Sequence, residues 1–339
     1  MITGSGTKAL RLVVAAGLLG FGLATAPASE ATYPGRNGSI AFNAAHRVDG
    51  LELLRTDAIR PDGTGRRELG DFAFPSWSAS GRRLFGIAQP PGQLSRLIYA
   101  DRFGGLRGEV PLPETQPCGW TNCWEHGPAL VLRALSGAPA LSPDGRTVAF
   151  VQWVISGFDP ASTGIDIPWI WTVRTDGSGL RRLVRGNRPR WTPDGRKIVF
   201  QYIGVYRQLQ SIASMRPDRT GVRRVHLSIG DDRFFDLSPD GRRVLWGGDV
   251  TRRGERRYGL FTSDVRGGGV RLVHSSSPFP GDAVWSPDGS KIVFSGPGDA
   301  TWIVPAAGGR PQKLLARPYQ GLAWQPLTGP TPDASTRTR

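Results

Sequence analysis

Six oxygen-bearing side chains stand where chemistry could be done: Asp71, Asn187, Asp231, Asp232, Asp282 and Gln320, each shortly ahead of a recurring ten-residue phrase. Gathered around one point, such carboxylates and amides can hold a hard cation such as calcium, which takes about 6–8 oxygen ligands. Two carboxyls held about 5–9.5 Å apart could instead act as acid and base in glycosidic bond cleavage. Simple hydration of strand starts is the third reading, and Arg188 and Arg233, beside two of the positions, count against a cation.

Two further groups carry chemical potential. Cys118 and Cys123, the only cysteines, lie in CGWTNC. In an oxidising compartment such a pair forms a disulfide. With His126 they could also ligate zinc, although the spacing is not that of a standard finger. The same stretch holds Trp120 and Trp124, large rings of the kind that anchor interfaces. The second group is Arg252, Arg253, Arg256 and Arg257, a basic cluster suited to carboxylates or an anionic wall polymer. The four histidines, His46, His126, His226 and His274, are scattered, and no H-E-x-x-H, Walker loop, dinucleotide fingerprint or G-x-S-x-G elbow occurs.

The elements that must position these groups are written in a repeat. WSASGRRLFG from Trp77, LSPDGRTVAF from Leu141, WTPDGRKIVF from Trp191, LSPDGRRVLW from Leu237 and WSPDGSKIVF from Trp285 share one plan, and LAWQP at Trp324 begins a last copy. The anchors stand 64, 50, 46, 48 and 39 residues apart, a propeller or solenoid period. In Ser-Pro-Asp-Gly, proline presets φ, aspartate bonds the local backbone and glycine takes a positive φ, which makes a tight turn between two strands. A second echo, as in IWTVRTDGSGLRRLV from Ile170, supplies two more strands around a Gly-rich turn. Asn37–Phe42 resembles a second strand without a first, and Leu322–Pro326 a first without a second, so the chain ends should share one unit. The expectation is an all-β, six-bladed propeller of four-stranded antiparallel blades, its ring closed by the N- and C-terminal strands. The anchor tryptophans then belong to the core, and the recurring Asp144, Asp194, Asp240 and Asp288 are turn formers.

The SPDG turn, preceded by Trp or Leu and followed by an IVF-like strand, resembles the TolB-type β-propeller repeat, over roughly Asn37 to Pro326. One copy departs: WSASG at Trp77 lacks both Pro and Asp. The resemblance implies a propeller that binds a partner protein in the cell envelope.

Residues 1–28 have the plan of a secretory signal peptide, with Lys8 and Arg11 before an apolar run and small residues from Ala24 to Ala28. Residues 29–36 read as a linker, 37–327 as the propeller with an insertion at 113–137, and 328–339 as a disordered tail. The formal charge of +15 is mostly arginine spread by the repeat, where a nucleic-acid reader would gather it in one aromatic-bearing patch. The connections from blade to blade and between second and third strands vary most, at 113–137, 153–168 and Asp249 to Tyr258, and must emerge together on one face. Variable loops on a rigid scaffold are where binding concentrates. These features point to a monomeric, non-catalytic exported module, periplasmic, wall-associated or secreted, that recognises a protein or peptide without a cofactor. A carbohydrate-active enzyme and a binder of anionic wall polymer are the alternatives.

Overall fold

Each Ser-Pro-Asp-Gly phrase closes a hairpin in the same way. In the computed structural model, Ser142 N donates to Thr147 O at 2.7 Å, Gly145 N donates to Ser142 O at 2.8 Å, and Asp144 Oδ1 accepts from Arg146 N at 3.0 Å. Gly145 has φ of 72°, a conformation that costs other residues about 1–2 kcal/mol. The Ser142 hydroxyl, then the amide, hold the Asp144 carboxyl below its ordinary pKa despite some burial. Thr192–Asp194–Gly195, Ser238–Asp240–Gly241 and Ser286–Asp288–Gly289 repeat the pattern. The second turns are built alike, with Asp62, Asp176 and Asp218 each accepting from the amide two residues on.

The structure describes residues 33–48, 51–90, 93–113, 134–154, 167–203, 210–225, 234–252, 255–275, 281–296 and 300–328. Among the described residues, 23 strands pair antiparallel into four four-stranded sheets and one of seven strands, which divides into two blades. The first blade comprises Ala73–Trp77, Arg83–Ala88, Arg96–Asp101 and Leu106–Glu109. The fourth comprises Phe235–Leu237, Arg243–Arg252, Glu255–Asp264 and Arg271–Ser275, and the fifth Asp282–Trp285, Lys291–Gly296, Ala300–Pro305 and Gln312–Leu315. The second and third share a seven-stranded sheet, because Arg181–Trp191 is continuous: residues 181–185 pair back to Ile167–Arg174 and 186–191 pair forward to Ile198–Ile203. In the sixth blade Gln320–Leu327 pairs with Arg36–Val48, followed by Leu51–Ile59 and Arg67–Gly70. The innermost strand of each blade packs on that of the next, and Gln320–Leu327 packs on both Asp282–Trp285 and Ala73–Trp77, so the chain ends meet in one blade.

Strand side chains alternate between faces, and in a ring of blades both faces are covered. Six buried apolar clusters follow among the described residues, one at each junction. The anchors Trp77, Trp191, Trp285 and Trp324 are at most 4% exposed. Two of them also bond across strands: Trp191 Nε1 donates to Ala140 O in the preceding blade at 3.0 Å, and Trp324 Nε1 donates to Gly38 O at 3.1 Å.

The repeated turn is also an interblade device. A β-carbon on Gly241 would lie 2.9 Å from Cδ of Pro193 in the preceding blade, one on Gly195 would lie 3.6 Å from Pro143, and one on Gly289 would lie 3.9 Å from Pro239. Each turn glycine therefore sits over the preceding turn's proline. Gly145 faces the first blade, where Ala79 replaces proline, and a β-carbon there would meet nothing within 4 Å.

Candidate functional site

The innermost strands of the first three blades bulge. Their ladders slip between Ala73 and Ser76, between Ser136 and Ala140 and between Asn187 and Arg190, with Pro75, Pro139 and Pro189 inside the slips. Proline is tolerated at a bulge because the ladder lacks a bond there already, and a bulge re-aims nearby side chains. Phe74 and Arg188 occupy the same bulge position with φ of 57° and 53°, a region that non-glycine residues enter rarely.

In the third blade that bulge turns charge inward. Arg188 and Arg190 are 3% and 0% exposed, and Asp236 and Asp282 on the next two innermost strands are both 0%. Arg190 Nε lies 3.8 Å from Asp236 Oδ1, and Arg190 Nη1 donates to Pro189 O at 2.8 Å. The second Asp236 oxygen accepts from Trp285 N at 2.9 Å, and Asp282 Oδ2 accepts from Leu322 N at 2.9 Å. Each carboxylate thus ties its own innermost strand to the backbone of the next. Burial pushes the Asp282 carboxyl up to about 6, against the Leu322 amide and the two guanidiniums. Burial raises Asp236 well above the ordinary range, although Arg190 pulls the other way.

Of the six sequence-predicted rim residues, the described ones are Asp71, Asn187, Asp282 and Gln320. Asp71 is exposed and lies 3.4 Å from His46 Nε2. Asn187 Oδ1 accepts from Arg188 N at 2.8 Å. Gln320 is exposed and pairs across from Asn43. Asp282 is a correction: it lies in a sealed joint, not on an open channel mouth, because its strand begins inside the packing between the fourth, fifth and sixth blades. No group of three or more His, Cys, Asp or Glu placed to hold a metal ion occurs among the described residues. Asp231, Asp232, Trp120, Trp124, Cys118, Cys123 and Arg253 lie outside the described residues, as do the leader (1–28) and all of the tail after Thr328.

Asp249 to Tyr258 is a second correction. It is not a loop: Arg243–Arg252 and Glu255–Asp264 run on as one hairpin, with Arg252 opposite Glu255, Arg256 opposite Thr251 and Arg257 opposite Val250. Each strand has ten residues, where the equivalent strands of the first and fifth blades have six. The axial Arg190 and Asp236 were the residues sequence reasoning missed, and Arg188 was noted only as a charge beside Asn187. Their signal was available, since charges at one and three residues before an anchor replace the small or apolar residues of other copies, such as Ala138 and Ala140.

No protein-family model and no curated protein matches the chain. Among solved structures it is similar to TolB from Acinetobacter baumannii, with 18% identity and a TM-score of 0.64 over 85% of this chain and 67% of that one. A putative TolB from Agrobacterium tumefaciens matches at 20% identity and a TM-score of 0.55, over 85% and 91% of the two chains. An oligogalacturonate lyase from Vibrio parahaemolyticus matches at 13% and 0.54, over 85% and 78%. At these identities the likeness is one of architecture, and the chain has a TolB-like β-propeller fold.

Proposed function

We propose that this chain is an exported, non-catalytic recognition module that binds a protein or peptide through the face carrying its variable connections. The observation that carries the reading is the hairpin Arg243–Arg252/Glu255–Asp264, whose strands run ten residues against six in the fifth blade, and which brings Arg252, Arg256 and Arg257 to its end. Arginine is favoured at interface hot spots and reads carboxylates through paired hydrogen bonds. Several of the described carboxylates have other work. Asp101, Asp144, Asp194 and Asp240 hold turns, Asp57 is gripped by Arg55 and Arg66 at 2.9 and 2.7 Å, and Asp236 and Asp282 join blades. Groups spent in this way hold the scaffold and do not serve as acid and base toward a substrate.

The leader pattern and the Cys118–Cys123 pair support export and an oxidising destination. The test is capture from envelope and culture-fluid extracts by the mature protein and by a variant with residues 250–257 replaced by a two-residue turn. A partner held by the first and lost by the second is expected. Equal capture by both would remove the hairpin from the interface, and turnover of a polysaccharide by either protein would replace recognition with catalysis. The anionic wall polymer reading, which the charge of +15 favours, predicts release by modest salt and no dependence on a protein partner.

A further inference from the structure

On the opposite face, where the short turns lie, the junction between third and fourth blades opens into a crevice of about 690 Å³, within the range of about 300–1,000 Å³ typical of ligand clefts. It runs from the turns at Thr192–Asp194 and Asp240–Gly241 out to Arg223 and Arg224 on the edge strand Arg223–Val225. Val199, Ile212 and Val244 form its base, with half-buried Ser214 and Val265 in the walls.

At three other junctions the second turn of the following blade packs closely on the blade before it. A β-carbon on Gly104 would lie 2.4 Å from Leu69 O, one on Gly177 would lie 2.8 Å from Pro111 and one on Gly308 would lie 3.3 Å from Val273 O.

The charges on its rim are unequal in availability. Asp194 and Asp240 each use an oxygen to hold their own turn, through Thr192 and Arg196, and Ser238 and Arg242. Lys197, Arg223 and Arg266 are exposed, and none is in an ion pair with a described residue. Arg224 is turned to the other face of its sheet, 4.3 Å over the Tyr202 ring. Three cations above an aliphatic base call for a ligand that is anionic and apolar at once. Arg223–Val225 is also the outermost strand of its sheet, so it offers the main-chain donors and acceptors to which an extended peptide adds.

We infer that this crevice is a second binding site, which takes an extended peptide segment alternating acidic and aliphatic residues. The aliphatic base favours a peptide over an anionic polysaccharide, which has no side chain to place against Val199, Ile212 and Val244. The inference concerns the face away from the arginine hairpin, and its test separates the two. A fluorescein-labelled hexapeptide alternating Glu and Val is titrated with the mature protein in low salt and followed by anisotropy. Arg223→Glu and Lys197→Glu, both at exposed positions, should each weaken binding at least tenfold with unchanged far-ultraviolet circular dichroism. The variant lacking residues 250–257 should bind as the native protein does. A Glu–Ser hexapeptide should bind at least fivefold more weakly than the Glu–Val one. Equal binding of the Glu–Ser peptide, tighter binding of polygalacturonate, or loss of binding with the hairpin instead of with Arg223 would each overturn the inference.

Discussion

The junction between the sixth and first blades and the junction between the third and fourth are built from one repeat and closed differently. In the former, two residues, Asp71 and Phe72, separate the outer strand from the next inner one, and Gly104 seats against Leu69 with no room for a β-carbon. In the latter a crevice opens toward the edge strand, with Val265 and Arg266 of the second turn in its lining, and the inner end is held by the buried Arg190–Asp236 contact at 3.8 Å. A blade junction can therefore be secured from its outer or its inner end, and an end released from that duty is free to bind something.

Removing the inner fastening should have the largest effect. Asp236→Ala leaves Arg190 buried without its carboxylate, and breaking such a pair costs about 3–5 kcal/mol. Chemical denaturation should show the loss, and a change below about 1 kcal/mol would mean the junction does not depend on it. Next, Gly104→Ala, with φ of 97° and backbone in the way, should cost roughly 2–5 kcal/mol, whereas Gly269→Ala at the open junction should cost about 1 kcal/mol from its φ of 61° alone. Equal costs would mean that the Leu69 backbone does not resist the added methyl.

A pH titration sharpens the account of the inner end. The folded-state pKa of Asp282, about 6, lies above its unfolded value near 3.8. Between those values the folded state holds the extra proton, so this group makes stability fall as pH rises through about 4 to 6, by about 2–3 kcal/mol, with no further change above. Asp282→Asn should flatten that slope in denaturation midpoints taken across the window. An unaltered slope would assign the dependence to other groups. The smallest effect is expected at the interrupted turn ladder. Ala79→Pro gives Gly145 the neighbour that the other turn glycines have, and should raise stability by about 0.4–1 kcal/mol, read as a higher melting temperature.

The hairpin turns, the anchor tryptophans and the meeting of the chain ends were legible because they rest on local chemistry repeated at fixed spacing. Pro143, Asp144 and Gly145 can hardly do anything but turn, and five copies remove the ambiguity of one. The hairpin beyond Asp249 was obscured because four arginines outweighed the β-forming Val250, Thr251 and Tyr258 in a reading by polarity. The axial joint was hidden for another reason: whether Asp282 meets water or the Leu322 amide depends on which neighbour its strand faces, and no single repeat contains that neighbour. The crevice has no motif at all, since its lining comes from two blades and no single repeat contains both.

The strand Arg181–Trp191 belongs to two blades without interruption. Elsewhere a single blade of four strands can open and reclose as a local event, but an amide ladder that crosses from one sheet to the next cannot be unzipped on one side alone. In hydrogen exchange, the amides of the second and third blades should therefore lose protection together, as one seven-stranded cooperative unit. Mechanically, that side of the disc is a stiff plate among hinged ones, and bending on partner engagement should concentrate at the other junctions.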